Sequence, residues 1–166
     1  GVWAYSESGN GTGYSYVTIR GFDQSRIAVF FDGVPLNDNE SHQVYWVDHG
    51  DLLSDVDNIQ IQRGIGNNLY GSSAFGGSIN VNTKIASDER EISGTIGSGD
   101  WNTQKIRASY RSGSDLGDDL SLAVRLSDIK SDGYRQFHDS YQRGFSLGIE
   151  HRGKAINQFR ALIGYE

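Results

Sequence analysis

The stretch Asn58–Lys84, NIQIQRGIGNNLYGSSAFGGSINVNTK, decides how the rest of the chain reads. It opens on an alternating run, Asn58–Gln62, that sets Ile59 and Ile61 on one face. It closes on another, Ser78–Thr83, that points Ile79 and Val81 inward. Alternation of this kind marks half-buried β-strands. Between the two lies Gly64–Gly77, fourteen residues with five glycines. A link so long and glycine-dense is functional, or is packed against something else. Gly64, Gly66, Gly71, Gly76 and Gly77 are read as backbone turns at positive φ or at close approach to a neighbour, as are Gly21 and Gly33 upstream. Gly66–Ser72 has the outline of a phosphate loop, but Ser72 stands where the lysine is needed, so nucleotide binding is not expected.

Working upstream, Val17–Arg20 and Arg26–Phe31 are β-branched and aromatic, and read as strands. Asp32-Gly33 marks a turn that Pro35 closes. Asp51–Val56 reads as a short helical turn with Asp51 as its N-cap. Downstream, the texture changes near Lys84. Residues 1–84 carry 9 acidic and 4 basic side chains, residues 85–166 carry 12 and 11. Five two-period segments follow, built on Ile92–Ile96, Ile106–Tyr110, Leu120–Leu126, Phe145–Ile149 and Phe159–Tyr165. Each is apolar on one side and polar on the other, with Arg107, Arg111, Arg125 and Arg160 on the polar side. An antiparallel sheet with one wet face gives this pattern, and so does an outer-membrane barrel. The link Ser127–Arg143 reads as long, and the other three as short.

Composition removes several classes of function. The 166 residues carry a formal charge of -6 with no basic run, which excludes a nucleic-acid footprint. There is no cysteine, hence no disulfide framework and no thiolate site. His42, Asp48, His49 and Asp51 fit no zinc spacing, and Asp38, Asn39 and Glu40 fit no calcium loop, so neither a metal nor another cofactor is expected. The four histidines lack a nucleophile context, so no enzymatic chemistry is expected. The chain starts at Gly1 and stops inside an apolar alternation, and is read as a piece of a longer one.

The motifs IRGF at Ile19–Phe22, FFDGVPL at Phe30–Leu36 and the stretch Asn58–Lys84 come in a fixed order, ahead of amphipathic strands. In that order the chain resembles the TonB-dependent outer-membrane receptors. The resemblance implies a mainly β architecture. Residues 1–84 would be the C-terminal part of a plug domain, a small mixed sheet with short helical turns. Residues 85–166 would be the first five or so antiparallel strands of a transmembrane β-barrel, incomplete here. It further implies a Gram-negative outer-membrane location, lipid around the barrel and a small-molecule or metal-chelate substrate. A TonB-type energy-coupling protein would act through an N-terminal segment that is missing here. The RGIGNNLYG run lacks the signature of the glycan-importing type, which points to a siderophore-iron, haem or cobalamin importer.

Residue by residue, Arg20 and Arg63 match the family's plug arginines, which pair with glutamates on the inner barrel wall. Guanidinium suits such a lock, because it is always charged and grips carboxylate with two bonds. The alternative is that each pairs locally, with an acid such as Asp57 or Asp32. The glycines listed above would then approach the barrel wall. The family's substrate contacts lie on apical plug loops, here 9–16, 23–26 and 37–46. Tyr14, Asp23, Gln24, Ser25, Arg26, Asn37, Asp38, Asn39, Tyr45 and Trp46 are the candidates. The competing reading is a secreted glycine-rich β-sandwich that binds glycans through its exposed aromatics.

Overall fold

A computed structural model describes the chain except residues 8, 10, 12, 50, 65–73, 84, 86, 88, 114, 118, 153–155 and 166. The chain divides into two compact units, Gly1–Thr83 and Lys84–Glu166. Gly66 and Gly71 fall outside the described residues.

The first unit holds a hairpin and a four-stranded sheet. β1 (Val2–Ser6) and β2 (Ser15–Ile19) pair antiparallel. Ile19-Arg20-Gly21-Phe22 then doubles back, with Ile19 and Phe22 exchanging both backbone hydrogen bonds. Arg20 has φ 54° and Gly21 φ 85°. Positive φ at both central residues is the primed-turn pattern, which matches the strand twist. Asp32-Gly33 repeats it, at φ 50° and 82°. That turn joins β3 (Ile27–Phe31) to β4 (Val34–Pro35). Pro35 thus belongs to a two-residue edge strand, a place where its missing N–H costs nothing.

β5 (Val56–Arg63) and β6 (Gly77–Thr83) complete the sheet, whose order is β4-β3-β6-β5. β3 and β6 run parallel, so the sheet is mixed. Its period-2 face supplies the core: Ile27, Val29, Phe31, Ile79 and Val81, with Ile19, Val44 and Leu52 from outside the sheet. Ile59 and Ile61 share that face but remain half-exposed, because β5 is the sheet's edge. The short turn is 3-10, Leu52–Asp55. Asp51 precedes it in the left-handed region and offers no side-chain cap, so the expected N-cap is not made. Its carboxylate instead takes the Ser54 hydroxyl.

Close approach at the glycines occurs inside this unit. A Cβ on Gly77 (φ 148°) would sit 2.3 Å from the Gln62 carbonyl oxygen, and one on Gly76 2.7 Å from Phe22 Cβ. Both positions demand glycine for packing of this sheet against its own neighbours.

The second unit is one antiparallel sheet of β7 (Glu91–Gly99), β8 (Thr103–Arg111), β9 (Leu120–Ser131), β10 (Ser140–Arg152) and β11 (Ile156–Tyr165). The link expected over Ser127–Arg143 is mostly strand, since Ser127–Ser131 pairs with Ser140–Gly144. β7 and β11 are both edges, so these strands do not close into a barrel.

The sheet's burial is inverted relative to a water-soluble fold. Ile92 is 76% exposed and Ile96 86%, while Arg125 is 7% and Glu150 5% exposed. A sandwich requires the opposite, with the apolar faces closing over a core. The five strands form one antiparallel sheet that leaves Ile92 and Ile96 exposed, which runs against the β-sandwich alternative.

Candidate functional site

The hairpin β1–β2 sets two different faces. Ala4 pairs with Val17 and Val2 with Ile19, on the side that meets the core. Trp3, Tyr5 and Tyr16 fall on the other side by the period-2 rule. Tyr5 stacks on Tyr16 at 5.2 Å between centroids, and Trp3 leans on Tyr5 at 6.3 Å. Tyr16 donates its hydroxyl to Glu7 at 2.9 Å. That bond to a carboxylate raises the phenol above its ordinary value. Trp3 and Tyr5 are largely exposed, so the ladder is a surface rather than core. The sequence signal for this ladder is the alternation of Trp3 and Tyr5 along β1.

Of the three loops singled out, two are brought together. Gln24 Nε2 donates to Gln43 Oε1 at 3.2 Å, tying 23–26 to 37–46. The loop 9–16 closes at the other end of the hairpin, where the Glu7 N–H donates to the Tyr14 carbonyl. Asp23 caps the 3-10 turn Gln24–Arg26 by accepting from the Ser25 N–H at 2.9 Å. Tyr14, Asp23, Arg26, Asp38, Asn39 and Tyr45 are exposed, and Ser25 half-buried. Gln24 is buried, its Oε1 without a hydrogen-bond partner among the described residues.

Three candidates are committed to the fold itself. Asn37 Oδ1 accepts from the Val29 N–H at 2.8 Å, and its Nδ2 donates to the carbonyls of Ile27 and His42, each at 2.9 Å. Trp46 packs against the core cluster. Asp38 folds its own loop, accepting from the Ser41 N–H, the Ser41 hydroxyl and the Glu40 N–H. The Ser41 bonds, above all, hold its carboxyl below the ordinary carboxylate value. Nearby, burial pushes His49 below the ordinary imidazole value. No three His, Asp or Glu side chains converge as metal ligands would among the described residues.

Arg20 comes close to the end of β5. Gly64 has φ 86°, and its absent Cβ would lie 3.5 Å from Arg20 Nη1. The Arg20 side chain therefore reaches the end of β5, where Arg63 stands. Both arginines are exposed. Among the described residues neither has an ion pair. The local acids are engaged elsewhere: Asp32 accepts from the Thr83 N–H at 2.8 Å and the Thr83 hydroxyl at 3.0 Å, and Asp57 accepts from Asn58.

The family description "TonB-dependent Receptor Plug Domain" matches residues 1–78. The chain belongs to the TonB-dependent receptor family. It is 31% identical over 136 residues to the vitamin B12 transporter BtuB of Vibrio vulnificus, an alignment spanning 81% of this chain and 21% of that protein. The ferric yersiniabactin uptake receptor FyuA of Yersinia pestis superposes with a TM-score of 0.75 at 18% identity, covering 99% of this chain and 27% of FyuA. FpvA of Pseudomonas aeruginosa, bound to a heterologous pyoverdine, gives 0.77 at 14% identity, covering 99% and 21%. The chain thus spans about a quarter or less of the relatives it matches. Membership places this TonB-dependent receptor chain in the Gram-negative outer membrane.

Proposed function

We propose that this chain supplies the plug and the first barrel strands of a receptor that imports a small extracellular ligand, driven by a TonB-type energy-coupling protein. The observation that carries the reading is the pairing of a plug domain with a sheet that exposes isoleucines on its apolar face while Arg125 and Glu150 are buried on the other. Only a lipid solvent makes that inversion favourable, because each exposed isoleucine would otherwise face water. The relatives named for vitamin B12, yersiniabactin and pyoverdine support a corrinoid or ferric-chelate substrate. Residues 1–84 act as the gate and residues 85–166 as wall. The exposed residues Tyr14, Asp23, Arg26, Asn39 and Tyr45 offer ring faces and charges to a ligand, while Arg20 and Arg63 hold the gate against wall carboxylates. The test is uptake of labelled cobalamin and of ferric siderophores by cells carrying the full-length receptor, with and without the energy-coupling protein. Uptake of one ligand class that stops when coupling is removed is the expected result. Uptake indifferent to coupling would overturn the transporter reading.

A further inference from the structure

Along β9, alternation carries Leu122, Val124 and Leu126 on the apolar face, then sets Asp128 and Lys130 on that same face. On β10, Phe145 lies opposite Leu126, Arg143 opposite Asp128 and Tyr141 opposite Lys130. The apolar band therefore ends in a polar patch shared by two adjacent strands. Arg143 Nε and the Tyr141 hydroxyl both donate to Asp128 Oδ2, each at 3.0 Å. The guanidinium carbon lies 4.8 Å from the Tyr141 ring centre, so cation and ring support each other. The Arg143 side chain is still 65% exposed, and Lys130 is exposed too. Two cations against one carboxylate leave the strand-borne patch positive. The acids beyond it, Asp100, Asp132 and Asp139, lie in the connecting turn and loop, the latter with Arg135.

Directly beside the patch the apolar face is hollow. Ile106, Ala108, Leu126, Phe145 and Ile163 wall a groove of about 460 Å³, with Asp128 and Arg143 at its polar end. Ala108 pairs with Gly94 on one side and Leu126 on the other, and the two small residues supply the missing volume. Past the same end, Trp101 in the β7–β8 turn meets Tyr134 in the β9–β10 loop edge to face at 5.4 Å. Amphipathic rings at that level mark the head-group zone of a bilayer. Aromatic rings, then cations, then an apolar groove is the sequence of environments that an amphipathic lipid presents in reverse.

We propose that this face binds one anionic, phosphate-bearing membrane lipid. Its head group sits against Lys130 and Arg143, and an acyl chain lies in the Ile106–Phe145 groove. The proposal rests on the membrane reading above and adds a specific site to it. Lysine and arginine both hold phosphate oxygens through charge-assisted bonds, and Arg143 is pre-oriented for this by Asp128 and Tyr141. Chains of any lipid wet the rest of the apolar face, but here a groove adjoins two cations.

The test uses the full-length receptor in nanodiscs of equimolar phosphatidylglycerol and phosphatidylcholine, with retained lipid identified by native mass spectrometry. Preferential retention of phosphatidylglycerol is expected. Lys130→Gln combined with Arg143→Gln should lower that preference roughly tenfold, since each cation near the surface attracts anionic lipid. Ala108→Leu keeps both cations but fills the groove, and should lose the retained lipid. Lys105→Gln, on the opposite face by register, should change nothing. Equal retention of the two lipids by the parent, or unchanged retention in both groove and patch variants, overturns the site alone. A receptor that fails to enter the bilayer overturns the membrane reading together with it.

Discussion

At Asn37 a single amide closes three backbone groups, at Ile27, Val29 and His42. Truncating it leaves β3 donors and acceptors beside the core without partners. Asn37→Ala is expected to lower stability by about 1–3 kcal/mol, read as a shift in the denaturant midpoint at unchanged slope. Asp38 makes a pH-dependent contribution of definite sign. Its carboxyl is held below the ordinary value by Ser41 and Glu40. The loop is therefore fully supported above the unfolded carboxylate value of about 3.9 and loses that support as pH falls through the lower folded value. Protection of the Glu40 and Ser41 amides, relative to their intrinsic exchange rates, should hold down to about pH 4 and fall only below it, and Asp38→Ala should remove it throughout. Arg20 is distinguished by its backbone as well as by its charge. A non-glycine residue at φ 54° is strained, and such strain persists where the surroundings or a function impose it.

On the scale of the strand, β9 carries the sharpest expectation. Leu122 and Val124 lie on the apolar face, near the middle of Leu120–Ser131. Arginine at either position should cost about 2–4 kcal/mol in the bilayer-inserted receptor, because the side chain enters hydrocarbon. Folding yield into lipid vesicles, compared with Leu122→Phe, checks this. Unchanged yield would mean that the face does not meet lipid. The two edges, β7 and β11, expose unpaired backbone groups, which in a complete barrel would be joined to further strands.

For the molecule as a whole, the gate reading makes a conductance prediction. Arg20→Ala with Arg63→Ala should leave the receptor inserted but loosen the plug. Under the proposed function each wall pair would be worth about 1–2 kcal/mol, since charges in a wet lumen are only partly desolvated. Ion leak through planar bilayers should rise, and leak unchanged from the parent, with intact ligand uptake, would reduce both arginines to surface charges. Much of this architecture was legible in the chain. Alternation in the five segments between Ile92 and Tyr165 specifies strands with two unlike faces, since the side-chain period is fixed at two. The Arg20-Gly21 and Asp32-Gly33 pairs specify turns, because glycine alone accepts the second position cheaply. What alternation leaves open is which face is outside, and only the folded sheet, with Arg125 buried and Ile96 exposed, decides that. Nor does any local signal connect Asp32 to Thr83, β3 to β6 in parallel, or Asp128 to Arg143 beside a groove. Those contacts join residues far apart in sequence, or depend on register, and register is fixed only when strands meet.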